Sequence, residues 1–427
     1  MVYKSDYSEH TLLHEKLKTE YVGKTLDDIP TPAFIIDRRV YKENCAAMIK
    51  KANEWGAGFR AHLKTHKTAE GTRLQLVTRE GSTKAVIVST IKEAWEVFNS
   101  GLVKDGIVDD ILYGLPVARN KIVDLDTLRK EVEPYGGVVR LLLDNAQQVR
   151  FLEDAQKARG HPKPWSAFVK VNGGYNRAGV VPKSKEMEEL VGAILQSPAT
   201  SLHGFYAHAG NAYGSTSLTE AQSYLSGEVR MVNDSAGFAL EKYRDAIENG
   251  ENTSPLVLSV GSTPTAHASS SAARERLEET LHGALELHAG NYPVLDLQQQ
   301  HTSLIDYPRV AQRVRSAVVS YYPGRGKNGE DEALIDAGAI AFSKDTGPSG
   351  TFGEVVGKPW VLGKTSQEHG ILSCTDASDP RGKLEIGDLV DIIGQHACLI
   401  AAAHPWYYIV EDGGDKIVDI WVPWKGW

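Results

Sequence analysis

Cysteine is scarce: Cys45, Cys374 and Cys398 are the only three in 427 residues. So odd and widely spaced a set excludes a disulfide framework and points to a reducing compartment, with the cytoplasm as the default expectation. Long apolar runs are also missing, and none approaches the ~18 residues that a membrane-spanning helix needs. The opening stretch Met1-Val2-Tyr3-Lys4-Ser5-Asp6 has no apolar centre of the kind a secretory signal carries. Trp424-Lys425-Gly426-Trp427 matches no lipidation, retention or peroxisomal signal. The basic residues form no stripe and the net charge is −8, so neither nucleic acid nor a membrane surface is an expected partner. There is no internal repeat and no low-complexity tract. What remains is a chain with 41% hydrophobic and 24% charged residues, a composition that suits a folded protein of more than one core.

A polar segment, residues 1–32, ends in Asp28-Ile29-Pro30-Thr31-Pro32, where two prolines stop any helix. Short apolar runs follow at 58–63, 85–89, 110–113, 138–143, 166–171, 202–207, 256–260 and 284–287, with helical stretches such as Ile91–Phe98, Ala146–Ala158, Lys183–Gln196 and Ser217–Asn249 between most of them. Strands alternating with helices imply a parallel sheet, and eight of them imply an α/β fold of the closed (β/α)8 type, with an open doubly wound sheet as the competitor. The barrel is drawn at 33–305, although Ala33–Asp37 suits either domain. After residue 305 the pattern changes to β-rich runs (Arg313–Tyr322, Leu334–Phe342, Leu389–Ile393, Tyr407–Val410 and Lys416–Trp421) parted by Gly, Pro and Asp turns. Residues 306–427 therefore read as a mostly antiparallel β domain.

Four barrel strands end in polar or Gly-rich clusters, on the face where barrel active sites form. Lys64, in Arg60-Ala61-His62-Leu63-Lys64-Thr65-His66-Lys67, has cationic neighbours that favour a neutral amine, suited to a Schiff base or to proton transfer. A solvated charged loop is the plainer reading, and a helical His62/His66 metal pair is disfavoured by Gly56, Gly58 and Thr65. Gly261-Ser262-Thr263, before the helical stretch Ser270–Glu279, offers backbone N–H groups and hydroxyls to a phosphate, and Gly290-Asn291 would complete the cup; an ordinary capped turn is the alternative. Asn172–Gly179 contains Tyr175 and Arg177, the latter a natural partner for a carboxylate. Tyr206-Ala207-His208-Ala209-Gly210-Asn211-Ala212-Tyr213 adds a fourth cluster. In the second domain, His396-Ala397-Cys398 offers an imidazole and a thiolate. Two ligands are too few for a structural zinc but leave open positions for a catalytic one, while a buried small Cys is the plain reading. The aromatics Trp406-Tyr407-Tyr408, Trp421, Trp424 and Trp427 read as packing, and Glu368-His369 lacks a nucleophile elbow.

Taken in order, Arg60–Lys67, Val171–Val180, His208–Tyr213, Val260–Thr265, Asp336-Ala337-Gly338, Glu368-His369-Gly370 and His396-Ala397-Cys398 resemble the fold type III pyridoxal phosphate (PLP) enzymes, and most closely the eukaryotic D-serine dehydratases. The resemblance runs from Thr31-Pro32 to His404-Pro405-Trp406. It implies a barrel carrying PLP on Lys64, with phosphate contacts at Gly261, Ser262, Gly290 and Asn291, and with Tyr206 and Tyr213 facing the cofactor. It assigns Zn2+ to His396 and Cys398, leaves Tyr175 and Arg177 to ring or substrate carboxylate contacts, and implies a homodimer whose site is shared. The implied reaction turns D-serine into pyruvate and ammonia, with Lys64 removing the Cα proton and zinc assisting loss of the β-hydroxyl. Ala61 departs from the pattern, where proline is expected. A D-threonine or 3-hydroxy-D-amino acid aldolase is the nearest alternative. A racemase has no use for the His–Cys pair, a PLP carrier protein lacks the second domain, and a metallohydrolase needs more ligands.

Overall fold

A computed structural model of the chain describes residues 7–160, 163–248, 255–270, 273–274 and 280–427. The chain divides into two compact units: one of residues 1–7, 46–290 and 424–427, the other of residues 8–45 and 291–423.

The first strand, β1 (Ala33–Asp37), belongs to the second unit. The first unit is a closed barrel of eight parallel strands: β2 (Gly58–His62), β3 (Ala85–Val88), β4 (Asp110–Pro116), β5 (Val138–Leu143), β6 (Trp165–Lys170), β7 (Thr200–Tyr206), β8 (Val257–Val260) and β9 (Ala284–Ala289). Their order is β8-β9-β2-β3-β4-β5-β6-β7. Each apolar run of the sequence became one of these strands, because a parallel strand covered on both faces reads as a continuous hydrophobic stretch. Helices fill the intervals, among them α1 (Ile91–Asn99), α2 (Ala146–Arg159), α3 (Lys185–Gln196) and α4 (Leu218–Glu248), the last kinked at Tyr243. Their starts are set by side-chain caps. Thr90 accepts from the Glu93 N–H, Asn145 from Gln147 and Ser184 from Met187, each satisfying a donor that the first helical turn leaves open. The helical stretch read at Ser270–Glu279 lies largely outside the described residues. The turn at Gly261-Ser262 leads directly into a short helix, α5 (Thr263–Ala268).

The barrel interior is charged at its lower end. Arg60 on β2 forms two hydrogen bonds with Asp110 on β4, at 2.7 and 3.0 Å, and one with Glu286 on β9 at 2.9 Å. Arg140 on β5 joins Asp110 at 2.7 Å and also donates to Ser166 on β6. Burial works against the charge on Asp110, but the Arg60 and Arg140 guanidiniums hold its carboxyl well below the usual range. Two guanidiniums thus face two carboxylates, which is the condition for burying charge without an uncompensated ion.

The second unit is a nine-stranded sheet that adds β10 (Gln312–Tyr322), β11 (Glu332–Ile335), β12 (Gly353–Val355), β13 (Trp360–Thr365), β14 (Gly370–Cys374), β15 (Leu389–Gly394), β16 (Tyr407–Val410) and β17 (Asp419–Trp421) to β1. The order is β11-β14-β13-β12-β15-β10-β1-β16-β17, with β10 also pairing with β11. All pairs are antiparallel except β1 with β16. Ala33–Asp37, drawn with the barrel on sequence grounds, is therefore a strand of this sheet, held by β10 on one side and β16 on the other. The run read at Leu334–Phe342 divides into β11 and a single helical turn, Ala339–Phe342. Strands β12, β13 and β14 hold at most three apolar residues in a row, between glycines and polar residues, so the sequence does not announce them. Among the described residues, no helix is long and apolar enough to cross a membrane.

Candidate active site at the barrel mouth

Lys64 stands two residues beyond β2. The strand pairing continues through Leu63, whose N–H donates to the Ile87 carbonyl at 3.0 Å, and the loop then turns back as the Lys67 N–H reaches the Leu63 carbonyl. Thr65 donates to the Gly290 carbonyl at 3.2 Å, tying the Lys64 loop to the end of β9. The cationic neighbours that the sequence suggests for Lys64 are otherwise engaged or neutral. Arg60 is committed to Asp110 and Glu286 inside the barrel. His66 is buried between Thr68 and Gln75, and burial lowers its imidazole to about 4 despite the Gln75 hydrogen bond. Burial, followed by the charge of Lys64 itself, holds His62 well below its ordinary range.

Beyond β7, His208 has its Nδ1 2.7 Å from the Gly261 carbonyl. A carbonyl only accepts, so Nδ1 carries the proton and Nε2 keeps its lone pair. Burial first, then the charges of Lys64, Arg177 and Lys170, lower this imidazole to about 3. Gly261 has a φ of +144°, and a Cβ there would stand 2.1 Å from the His288 carbonyl oxygen; only glycine fits this crossing of the β8 end over β9. Ser262 and Thr265 form a capping box in which the Ser262 N–H is given to Thr265 Oγ1 at 2.8 Å.

Tyr206, the last residue of β7, is stacked on His288 with ring centres 4.2 Å apart and planes 8° from parallel. Lys170 Nζ lies 5.2 Å from the Tyr206 ring centre, and burial, then Arg177, lowers its ammonium to about 8. Tyr213 is half-buried in the turn Gly210–Gly214. Tyr175 is exposed, its ring against Gly210, where a Cβ would stand 2.9 Å from Cδ1. Arg177 is exposed, with no ion-pair partner among the described residues, and its charge is felt by His208, Lys170 and Tyr206. Lys64, Arg177, Tyr206, Gly261, Ser262 and Gly290 thus all lie at the ends of barrel strands on one face.

Several groups here escaped the sequence reading. Ser259 and Glu286 sit inside apolar runs and His288 directly after one, where a polar residue pointing into the barrel looks like an interruption or a strand end. Glu228 on α4 is buried, accepts the Ala209 N–H at 2.5 Å, and is pushed up by burial to about 7. Its only signal was a carboxylate on the inner face of a helix.

In the second unit, Asn291 does not present its amide outward. Asn291 Nδ2 donates to Asp296 at 2.5 Å, and Asp296 also receives the Ala397 and Gln299 N–H groups. His396 stands at the N-cap position of the helix Ala397–Ala403, without a side-chain capping bond, and Cys398 lies in its first turn. His396 Nδ1 lies 2.6 Å from Asp345 Oδ2. Burial disfavours the imidazolium, but the Cys398 hydrogen bond and charge, then Asp296 and Asp345, raise it to about 9. No group of three or more His, Cys, Asp or Glu side chains that could hold a metal occurs among the described residues. The pair fits an open site on chemical grounds: a carboxylate on Nδ1 turns Nε2 outward beside a thiol, as in carboxylate–histidine metal sites. The cysteines are all free.

Comparison with known proteins places this geometry. The model of the alanine racemase N-terminal domain matches residues 36–278, and that of a serine dehydratase domain matches residues 311–410. The D-serine dehydratase of Schizosaccharomyces pombe is 44% identical over 97% of this chain and 96% of its own length. That of Saccharomyces cerevisiae is 32% identical over 96% and 99%. A solved structure of a D-threo-3-hydroxyaspartate dehydratase, a cysteine-to-alanine mutant in the metal-free form, is 25% identical, with a TM-score of 0.79 over 95% of this chain and 100% of that one.

Proposed function

Because the chain belongs to the D-serine dehydratase family of alanine racemase-like enzymes, we propose that this lyase is a PLP- and zinc-dependent D-serine dehydratase, a D-serine ammonia-lyase forming pyruvate and ammonia. The observation that carries the reading is Lys64 at the mouth of a closed eight-stranded barrel, beside neutral His62 and His208 and on the same face as Gly261. Lys64 would hold PLP covalently. Gly261, Ser262 and Gly290 would face its phosphate, with Asn291 following in sequence, and Tyr206 and Tyr213 would line its ring. When bound, PLP supplies an electron sink that acidifies the substrate Cα–H.

The remaining work falls to this chain's residues. Lys64 Nζ takes the proton from Cα. Arg177, with no carboxylate partner among the described residues, pairs with the substrate carboxylate, and Tyr175, two residues earlier in the same loop, would lie beside it. His396 Nε2 and Cys398 Sγ would hold Zn2+, which supplies Lewis acidity at the β-hydroxyl; Asp345 keeps Nδ1 occupied so that Nε2 is the liganding atom. This reading brings with it a homodimer sharing the site, a small D-amino acid as substrate and a cytoplasmic setting.

A 3-hydroxy-D-amino acid aldolase would use the same lysine and the same pair, and products separate the two. D-serine, D-threonine and L-serine are each assayed for pyruvate plus ammonia and for glycine plus aldehyde, with and without chelator. Pyruvate from D-serine alone, lost on chelation, is expected. Glycine as the product would overturn the dehydratase, and pyruvate formation unaffected by complete metal removal would overturn the zinc role. Borohydride reduction followed by peptide mapping is expected to leave the PLP mass on Lys64 and none in Lys64→Ala. Label on another lysine would remove the central assignment.

A further inference from the structure

The interior of the barrel contains a chain of hydrogen bonds with one open end. Arg60 donates to Glu286 Oε1 at 2.9 Å, Ser259 Oγ donates to the same oxygen at 2.8 Å, and His288 Nδ1 lies 3.0 Å from Ser259 Oγ. All four side chains are buried, with Glu286 the most exposed at 9%. The proton positions follow from the ends of the chain. The Glu286 carboxylate, ion-paired with Arg60, can only accept, so Ser259 spends its single proton there. Ser259 must then accept from His288, which places the imidazole proton on Nδ1. Burial and the charges around His288 keep the ring neutral. His288 Nε2 is thereby left as a bare acceptor, buried and without a hydrogen-bond partner among the described residues. An unmet buried acceptor costs about 1–3 kcal/mol, and this one ends a chain whose other links are all paired, so it calls for a donor.

The position of that acceptor narrows the donor. Strand β9, which carries His288, lies between β8, which ends at Gly261-Ser262, and β2, which leads to Lys64. The His288 ring is held flat against Tyr206 and within 6.1 Å of His208, ring centre to ring centre. A PLP molecule held by both the phosphate contacts and Lys64 would pass over this strand. Its phosphate and phenolic oxygens are acceptors at neutral pH; the one donor on its ring is the protonated pyridine nitrogen. We propose that His288 Nε2, oriented by Ser259, Glu286 and Arg60, accepts the hydrogen bond of the PLP ring nitrogen. His288 is then the residue that keeps this nitrogen protonated, and Ser259 and Glu286 are positioning residues acting through it. The polarised chain ending in a carboxylate strengthens the acceptor without placing a negative charge against the ring.

This inference rests on the PLP reading above, and its test separates the two. Dissociation constants are measured for PLP and for its carbocyclic analogue with CH in place of the ring nitrogen. The proteins are the wild type, His288→Phe (which keeps a flat ring on Tyr206) and Ser259→Ala. The wild type is expected to prefer PLP by about tenfold or more, the scale of a buried hydrogen bond with a charged partner. His288→Phe is expected to bind both ligands alike, and Ser259→Ala to lose most of the preference while still folding. A wild type without preference, or a His288→Phe protein that retains it, overturns the proposal. Should His288→Phe not fold, an undiminished preference in Ser259→Ala overturns it equally. A wild type that binds neither ligand refutes the PLP reading itself.

Discussion

At the scale of single residues, His66 shows how burial fixes a protonation state. The Thr68 N–H donates to Nδ1 at 3.1 Å, so Nδ1 carries the lone pair and Nε2–H is directed to Gln75 Oε1 at 2.7 Å. Neither nitrogen has room for a second proton without losing a partner, and burial lowers the group to about 4. The same ring in the unfolded chain takes a proton near pH 6.5. Between these values the unfolded state binds more protons than the native one, so stability is lost as pH falls from about 6.5 to 4. His66 alone is expected to cost about 2 kcal/mol at pH 5 relative to pH 8. His203, lowered by burial to about 3, and His208 act in the same sense, so the wild-type profile is steeper than one residue explains. His66→Gln should flatten the difference between denaturant-unfolding free energies at pH 8 and pH 5 by about 2 kcal/mol. An unaltered pH slope in the variant would show that His66 titrates alike in both states.

At the scale of elements, the barrel strands are joined by side chains as well as by backbone ladders. Arg60 links β2 to β4 and β9 from inside, and Arg140 links β4 to β5 and β6. Arg60→Met keeps volume but leaves Glu286 without a cation and Asp110 with Arg140 alone. Removing one partner of a buried network costs about 3–5 kcal/mol, and a loss of that size is expected in guanidinium unfolding; a loss below about 1 kcal/mol would mean that water replaces the guanidinium. The same residues explain what the sequence made legible. The eight apolar runs located the strands to within three residues because burial on both faces demands them. The runs said nothing of which interrupting residue points inward, so Glu286 and Ser259 passed unnoticed, and His288 fell just past the end of its run. Lys64, Gly261 and Arg177 were legible because strand ends in a barrel share one face whatever the pairing details. Asn291 was legible as a polar group but not as a partner of Asp296, since that bond depends on how residues 291–297 turn. Strand β1 was misplaced because five fully buried residues fit a barrel and a sheet interior equally well.

At the scale of the whole molecule, neither unit is a continuous piece of sequence. The barrel closes only when β9 reaches β2, more than two hundred residues earlier, and the sheet of the second unit needs β1 against both β10 and β16. Such pairings are slow to form, because loop closure precedes the contacts that reward it. After β17 the chain leaves the second unit and its last four residues, 424–427, return to the barrel unit. Trp424 is fully buried there, and its N–H donates to the Lys67 carbonyl at 2.8 Å. Lys67 has a φ of +51°, a left-handed conformation that a lysine holds only under restraint. Its Nζ is paired with the buried Glu93 at 3.0 Å, and Glu93 in turn accepts the Ser89 N–H ahead of α1. Burial, then the charge of Lys67, lowers Lys425 to about 8. The terminal residues therefore clamp the loop that presents Lys64, three positions before Lys67. Ending the chain at Pro423 removes one buried tryptophan and one backbone restraint, which together should lower unfolding free energy by about 3–5 kcal/mol. It should also weaken PLP retention on dialysis, because the Lys64 loop loses its fixed turn. Trp427 is 87% exposed, so Trp427→Ala is expected to stay within about 0.5 kcal/mol of wild type. If the shortened chain keeps full stability and cofactor while holding the same fold, the return of the terminus to the barrel is packing without consequence, and the restraint on Lys67 must lie in Glu93 alone.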